Sequence, residues 1–490
     1  MSIKTCDIAV IGGGPAGMAA ARVAASNGAS VVLIDDAPGL GGHFFKESPF
    51  KGTSSHHQQK KLQQLETRRQ ALAARGVEVL LGARVWGIFD ETGSTFRGRT
   101  DPHGTSFQLQ LDSAPRGIAS VRTRYLILTP GVYDRPVPFP GWELPGVVTP
   151  GAVQMQLEKQ GLLPGQRILV GGSGPLQLLV AAELVRHGVE VVAVVDICGA
   201  LEGVPQIPAA LGGLWSRLGE AAESAATLVS HRVPILFRQA VFHALGTPEM
   251  GVRGVVIGKV DEQGRPMPGS EREFEVDTVC VGYGFIPSIA MTLHLGCAHR
   301  YDLDLQAFIP EHDKNLQTSV PGIYIAGDVT GAGGKPLAEL QGEMAGISAL
   351  EKLGKIPGEQ AARERNRLAP SIRREKRFAE WLWHRYRIRP GLLELADDET
   401  VICRCEAVRM GQFREGLKNG GKDLFGVKLR TRLGMGQCQG RYCVPNAALL
   451  ISANNGQPVA ELDLPSIRPP IFPVRLKDID VAEQTIEENL

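Results

Sequence analysis

A strand, a glycine-rich turn, a helix and a second strand follow one another twice along this chain. The first copy covers residues 7–35 and the second covers residues 167–196. In both copies an apolar run leads into the turn, and a helical segment of small or apolar residues leaves it. This order is typical of a unit that binds a dinucleotide at the ends of parallel strands. The duplication therefore predicts an α/β protein with two nested Rossmann-like dinucleotide-binding domains.

The first turn has the spacing G-x-G-x-x-G between a strand and a helix. Glycines at this spacing allow a tight turn and let the backbone approach a pyrophosphate, which then lies on the helix N-terminus. An acid at the end of the next strand can accept hydrogen bonds from ribose hydroxyls. A tight turn without a ligand is the alternative. The expected binding residues are Gly12, Gly14, Pro15, Ala16, Gly17 and Asp35.

A later apolar strand, PGIYIAGD, ends in Gly327 and Asp328. Its carboxylate can reach the ribityl chain and pyrophosphate of a flavin, and a helix from about Leu337 can stabilise reduced, anionic flavin. This combination favours FAD over NAD at the first site, although Asp328 alone could also cap a turn. Gly42 and His43 follow the second strand and are expected to line the flavin. For His43, a solvated loop histidine is the alternative.

The second turn keeps Gly172 and Gly174 but has Gln177 at the third glycine position. A glutamine there either holds the helix away from the strand or reaches into the ligand site. Asp196 ends the next strand and suits a free ribose 2′-hydroxyl. The two hypotheses for this fold are an NAD(H) site and a structural domain without a nucleotide. No C-x-x-C motif occurs, so no redox disulfide relays electrons from a flavin.

Four of the eight cysteines fall in a short C-terminal stretch, with spacings C-x-C and C-x4-C. Four thiolates can hold two irons with two ligands each, and each short arm can supply one pair. A structural zinc ion is the competing hypothesis, although C-x-C arms match zinc sites poorly. We therefore predict a [2Fe–2S] cluster bound by Cys403, Cys405, Cys438 and Cys443.

The net charge and the length of the apolar runs limit which other classes of function are expected. The chain has 490 residues, with 53 Lys or Arg and 52 Asp or Glu, so its net charge of +1 gives no indication of nucleic-acid binding. No apolar run is long enough to cross a bilayer, which predicts no transmembrane segment. The N-terminus is interpreted as the first strand rather than a signal sequence, because Asp7 interrupts it. We expect a cytoplasmic protein.

Together these motifs resemble the flavoproteins of the thioredoxin reductase type, fused to a [2Fe–2S] domain of the bacterioferritin-associated ferredoxin type. The fusion is similar to the α (A) subunits of heteromeric opine oxidases, of hydrogen cyanide synthase, and of proline and D-hydroxyproline dehydrogenases. The resemblance covers nearly the whole chain. It implies FAD and a [2Fe–2S] cluster in this chain, and for some members FMN at a subunit junction and ATP or NAD in a dinucleotide fold.

The resemblance also implies a β subunit of the D-amino-acid or sarcosine oxidase type, which carries the substrate flavin, and in some complexes a small γ subunit. This chain would then be the electron-transfer subunit of a dehydrogenase that oxidises a C–N bond of an amino acid or opine. We name no catalytic residue in it. The alternatives are a stand-alone NAD(P)H-dependent reductase and a non-enzymatic protein that binds or senses iron.

The sequence divides into five expected parts. The FAD-binding domain is discontinuous, and a helical linker separates the two dinucleotide folds from the cluster domain. The expected boundaries are 1–148 with 286–357 for the FAD-binding domain, 149–285 for the second dinucleotide domain, 358–397 for the linker, 398–460 for the cluster domain and 461–490 for the tail.

Overall fold

The structure is a computed structural model that describes residues 2–45, 56–90, 106–113, 118–200, 202, 218–476 and 479. Most of the expected tail beyond residue 476 lies outside these described residues. Within them, no helix is both long enough and apolar enough to cross a membrane.

The strands are β1 (Ser2–Ile11), β2 (Val31–Asp35), β3 (Glu78–Leu81), β4 (Val85–Phe89), β5 (Phe107–Leu111), β6 (Ile118–Leu128), β7 (Val132–Asp134), β8 (Val147–Val148), β9 (Arg167–Ser173), β10 (Glu190–Asp196), β11 (Ile235–Phe237), β12 (Gln239–Thr247), β13 (Gly251–Lys259), β14 (Arg272–Glu275), β15 (Thr278–Tyr283), β16 (Phe285–Pro287), β17 (His299–Asp302), β18 (Ala307–Pro310), β19 (Ile323–Ile325), β20 (Val401–Cys403) and β21 (Val408–Arg409). The α-helices are α1 (Pro15–Ser26), α2 (His56–Ala73), α3 (Pro150–Met155), α4 (Pro175–Arg186), α5 (Leu218–Ser230), α6 (Ala290–His294), α7 (Gly334–Lys352), α8 (Gly358–Arg385), α9 (Met410–Lys418), α10 (Leu424–Thr431) and α11 (Cys443–Asn455).

The first dinucleotide fold is built on the sheet β3-β2-β1-β6-β5-β4, and β19 also pairs with β6. Strands β1, β2, β3, β6 and β19 are parallel. Helix α1 is rich in alanine and packs closely on α7, where a Cβ atom on Gly342 would lie 2.1 Å from the carbonyl oxygen of Ala16. The late strand β19 and helix α7 therefore complete a fold that begins at the N-terminus.

The second dinucleotide fold lies on the parallel sheet β11-β10-β9-β15-β8. An antiparallel sheet of β12, β13 and β14 packs beside it. The strands of the parallel sheet are apolar on both faces. Ile168 and Val170 pack with α3 and α4 on one face, and Leu169 and Val195 pack with β12 and β13 on the other. The predicted α/β class with two nested dinucleotide folds is confirmed.

The C-terminal part is a small domain of the β20–β21 hairpin and helices α9, α10 and α11 around its own apolar core. The long helix α8 lies before it in the chain, after the two dinucleotide folds. Hydrogen bonds join this domain to the body. The indole of Trp142 donates to the carbonyl of Val401, and the Asn446 amide donates to the carbonyl of Pro136 at 2.8 Å.

Candidate functional site

The first glycine-rich turn lies between β1 and α1, and its glycines serve different purposes. A Cβ atom on Gly12 would lie 2.3 Å from the Thr129 carbonyl oxygen, and one on Gly17 would lie 1.8 Å from the Gly12 carbonyl oxygen. These two glycines are therefore required for folding itself. A Cβ atom on Gly14 would approach only Gly42, at 3.9 Å from its Cα. Space is thus left in front of Gly14, where a ligand can approach the backbone.

The N-terminus of α1 fits an anion. Gly14 is its N-cap residue, so no side chain caps the helix, and Pro15 occupies the first turn. The free N–H groups of such an end, together with the helix dipole, favour a phosphate. Gly14, Pro15 and Ala16 all line the adjoining cavity. These features match what a dinucleotide pyrophosphate requires.

Asp35 is held in place at the end of β2. Its carboxylate accepts hydrogen bonds from the backbone N–H groups of Gly13 and, at 2.7 Å, Ala37. Burial raises the pKa of this carboxyl. Because each carboxylate oxygen has a second lone pair, Asp35 can still accept a hydrogen bond from a ribose hydroxyl on the cavity side.

Asp328 also lines the cavity and caps the start of α7. Its Oδ1 accepts a hydrogen bond from the N–H of Gly334 at 2.9 Å, and burial raises the pKa of the carboxyl. The helix begins at Gly334, three residues before the expected Leu337, because this cap starts it earlier. Its positive end therefore lies beside the cavity. The capping role and the ligand-facing role of Asp328 are compatible in this geometry.

Gly42 lies directly against the first turn. Its backbone has φ +60°, and a Cβ atom on it would lie 3.0 Å from the Cα of Gly14. His43 follows it and lines the same cavity, as does Gly327. The structure thus brings the sequence-predicted residues of the first site together around one space, except Gly17, which does not line it.

That space is a cavity of about 1640 Å³ that reaches from the first turn to the four C-terminal cysteines. Aromatic side chains lie along its course. The ring centroids of Tyr133 and Tyr442 are 5.7 Å apart, and the guanidinium of Arg404 lies 5.5 Å from the ring centroid of Trp142. Sequence reasoning did not anticipate that these residues meet, because the members of each pair are about 260–310 positions apart in the chain.

The four thiols form two pairs. Cys403 is hydrogen-bonded to Cys443, and Cys405 is hydrogen-bonded to Cys438. The bond to Cys443, with backbone N–H groups, lowers the pKa of Cys403 to about 6, whereas the bond to Cys403, with burial, raises the pKa of Cys443. Each hydrogen-bonded pair takes one cysteine from each arm, and the expectation that each arm supplies the two ligands of one iron stays a prediction. Cys403 ends a buried strand and Cys405 lies in the exposed turn after it, so the two face different partners.

Among the described residues, no three His, Cys, Asp or Glu side chains converge as a site for one metal ion. Four thiolates, two for each of two irons, are the donor set that a binuclear cluster requires. The donor set therefore fits a binuclear cluster.

In the second fold, Gly172 has φ +122° and a Cβ atom on it would lie 1.9 Å from the Gly282 carbonyl oxygen, whereas Gly174 faces open space. Gln177 is buried, and its Nε2 donates to the carbonyl of Gly282 at 3.0 Å. This hydrogen bond therefore links α4 to β15 at the position where a third glycine would let the helix contact the strand directly. The hypothesis that it holds the helix away agrees best with this bond.

The end of α8 covers the acid of the second fold. Asp196 is buried and accepts a hydrogen bond from the N–H of Cys198 at 2.9 Å. Cys198 in turn donates its thiol to the carbonyl of Arg385 at 3.4 Å, and Ser173 donates to the carbonyl of Tyr386 at 3.5 Å. The chain's own backbone thus lies where a ribose would contact Asp196. No pattern in the sequence indicates this contact, because it depends on where α8 ends in space.

Asp196 gives a testable pH dependence. Burial raises its pKa from 3.8 to about 6, so the folded protein keeps a proton that the unfolded chain releases. The stability that this group contributes is therefore lost as the pH rises from about 4 to about 6. We expect Asp196→Asn, which keeps the acceptor for Cys198, to increase the free energy of unfolding at about pH 8 by about 2–3 kcal/mol. Urea unfolding at about pH 4 should show almost no difference, and an equal gain at both pH values would contradict the prediction.

Comparisons with known proteins agree with this architecture. Residues 6–348 match the family described as pyridine nucleotide-disulphide oxidoreductase, and residues 401–453 match the BFD-like [2Fe-2S] binding domain. The chain is 34% identical over 451 residues to hydrogen cyanide synthase subunit HcnB of Pseudomonas aeruginosa, covering 89% of this chain and 90% of that protein. It is 31% identical over 487 residues to the A subunit of opine oxidase from Rhizobium meliloti, covering 96% of this chain and 98% of that protein.

A solved structure supports the fold. L-proline dehydrogenase from P. horikoshii superposes with a TM-score of 0.67 at 22% identity, covering 98% of this chain and 80% of that chain. From these matches, the chain binds FAD and a [2Fe–2S] cluster. It is a member of the pyridine nucleotide-disulphide oxidoreductase family, carries a C-terminal BFD-like [2Fe-2S] binding domain, and is related to HcnB and to the opine oxidase A subunits.

Proposed function

We propose that this chain is the electron-transfer subunit of a heteromeric dehydrogenase or oxidase that acts on an amino acid or opine. The observation that carries the proposal is the continuous cavity that joins the first glycine-rich turn to the four thiols. A flavin held at one end and a cluster at the other would be connected inside one protein. The names of the relatives, which are subunits of hydrogen cyanide synthase and of opine oxidase, support the same function.

The cofactors are assigned to the residues described above. FAD would be held with its pyrophosphate at the N-terminus of α1, its ribose at Asp35 and its flavin near Asp328. The cluster would be held by the two thiol pairs. The boundaries expected from the sequence, with the FAD-binding domain in 1–148 and 286–357 and the cluster domain in 398–460, remain our proposal for the modular organisation.

The substrate would be oxidised on a partner. A secondary amine loses two electrons and two protons to become an imine, which water then hydrolyses. We propose that this step takes place on the flavin of a β subunit of the D-amino-acid or sarcosine oxidase type. Further components of the proposed complex are FMN at the junction and a small γ subunit. The role of this chain is to accept the electrons and to pass them on to a quinone, a dye or oxygen.

The covered Asp196 argues against the reductase alternative, in which NAD(P)H would bind the second fold and reduce the flavin. An incoming ribose would have to displace the backbone at Arg385 and Tyr386. Arg389 strengthens this cover through its ion pair with Glu202. We therefore propose that the second fold serves as a support for α8 and holds neither NAD(H) nor ATP.

We expect NADH and NADPH to leave the flavin of the isolated chain oxidised. Under anaerobic conditions, dithionite should bleach the flavin absorbance at once. An excess of NADH should act at least about 100-fold more slowly, because a closed site must first open at a cost of about 3 kcal/mol or more. Rapid bleaching of the wild-type protein by NADH would support the reductase alternative.

The deciding experiment is purification of the tagged chain from its native host with whatever co-purifies. The complex should reduce a dye with opines or secondary amino acids as substrates, and the isolated chain should not. A chain that purifies alone and shows a full complement of iron but no reversibly reducible flavin would favour the non-enzymatic, iron-binding alternative.

A further inference from the structure

The cluster domain exposes apolar side chains on one face of α10. Phe425 and Leu429 are 62% and 59% exposed. They are four residues apart and therefore lie on the same face of the helix, which also carries Lys428. Arg432 follows the last turn as the C-cap residue, with φ +65°. Leu424 and Val427 of the same helix are buried in the domain core, so the helix does not need the exposed pair for folding. We call the set Phe425, Lys428, Leu429 and Arg432 the α10 face.

The α10 face ends at a cluster ligand. Arg432 donates through Nε to the Oε2 of Glu406 at 2.7 Å. Glu406 directly follows Cys405, which is the exposed member of the four thiols. The loop after α10 also packs on this ligand, since a Cβ atom on Gly436 would lie 2.3 Å from the Cβ of Cys405. The edge of the cluster that is nearest to solvent is therefore beside this face.

The cluster domain is basic, although the whole chain is nearly neutral. Residues 398–460 contain nine Lys or Arg and five Asp or Glu, whereas the full chain has 53 and 52. Four of the five acids already have local partners. Asp398, Glu399 and Glu406 pair with Arg414, Arg409 and Arg432, and Asp423 accepts the hydrogen bond from Gly426 that caps α10. The field around the α10 face is therefore positive.

This inference rests on the electron-transfer function proposed above: we propose that the α10 face docks an acidic one-electron carrier protein, which receives electrons beside Cys405. The charge favours an acidic partner. A small apolar centre within a charged rim is typical of transient redox complexes, whereas permanent subunit interfaces are larger and more apolar. In each encounter the cluster loses one electron and the carrier gains one. The two electrons from one substrate molecule therefore reduce two carriers.

Two haem proteins of opposite charge serve as probes. The full chain, with both cofactors bound, is first reduced with a stoichiometric amount of dithionite. It is then mixed with acidic cytochrome b5 or with basic cytochrome c. We expect the rate with cytochrome b5 to fall at least about tenfold between low salt and about 0.3 M salt, while the rate with cytochrome c does not fall. If neither cytochrome is reduced, the proposed electron-transfer function fails. If both are reduced with the same salt dependence, only the docking proposal fails.

Charge reversal tests the location. Lys422 is exposed two residues before α10. The double variant Lys422→Glu/Lys428→Glu should slow cytochrome b5 reduction about tenfold at low salt. The matched control Lys314→Glu/Arg373→Glu changes the net charge equally on exposed residues of the body and should leave the rate near that of the wild type.

Removal of the apolar centre is the second test. The double variant Phe425→Ser/Leu429→Ser should slow the reaction about fivefold and leave the visible spectrum unchanged. Wild-type rates in both cluster-domain variants would overturn the proposal. If these variants no longer bind the partner subunit but still reduce cytochrome b5 normally, the α10 face belongs to the interface with that subunit, and the docking proposal is wrong.

Discussion

Replacing Gly14 with valine should give a folded protein that retains its iron but has lost FAD. Gly14 has φ −73°, which any residue can adopt, and its Cβ position meets no protein atom closer than the Cα of Gly42 at 3.9 Å. A valine side chain would instead enter the space in front of the α1 N-terminus. That is where the pyrophosphate must approach the backbone.

The effect on affinity should be large. Losing two charge-assisted hydrogen bonds from backbone N–H groups to the phosphates costs about 3 kcal/mol or more, which weakens binding at least about 100-fold. The flavin released from the purified protein by denaturation measures the occupancy, and iron analysis measures the cluster. Thermal unfolding should show a stable protein.

Two other glycine variants make this result interpretable. Gly219→Val adds the same side chain in α5, where a Cβ atom meets nothing within 4 Å, and should keep its FAD. Gly17→Val places a Cβ atom 1.8 Å from the Gly12 carbonyl oxygen and should prevent folding altogether. A Gly14→Val protein that retains full flavin would show that the dinucleotide lies elsewhere.

The first site could be predicted because its geometry is local. A strand, a tight turn and a helix N-terminus fix the positions of Gly12, Gly14 and Gly17 from sequence alone, and Asp35 follows at the end of the next strand. Even the distant Asp328 could be assigned to it, since β19 is a recognisable apolar strand. These residues were expected to meet at one site because the carboxyl ends of parallel strands lie at the same edge of a sheet.

The remaining features depend on contacts between distant segments. Nothing in the spacing of the cysteines indicates that Cys403 pairs with Cys443 rather than with Cys405. That pairing follows from how the β20 turn packs on the N-terminus of α11. In the same way, the cover over Asp196 depends on the length and direction of α8, and helix periodicity does not define where a helix ends in space. The replacement of the third glycine by Gln177 indicated only that the second turn departs from the dinucleotide-binding motif.

The second large effect is expected at the thiol pairs. The variant Cys438→Ser should lose the cluster and retain FAD. Two irons need four thiolates, so we expect iron to fall from about two atoms per chain to nearly none. Loss of the broad visible absorbance and of the electron paramagnetic resonance signal after reduction would report it. FAD should remain, because the α1 turn and Asp35 belong to a separate fold with its own core. The same result is expected for Cys405→Ser, the hydrogen-bonded partner of Cys438.

Cys297→Ser is the control for the substitution itself, because this thiol is buried in the body of the protein, where it donates to the Thr318 hydroxyl. It should keep both iron and flavin. Zinc in place of iron in the wild-type protein would contradict the assignment of the cluster. Simultaneous loss of FAD and iron from Cys438→Ser would have a different meaning. It would show that the cluster domain stabilises the flavin end of the shared cavity, so that the two cofactors are bound cooperatively rather than by independent domains.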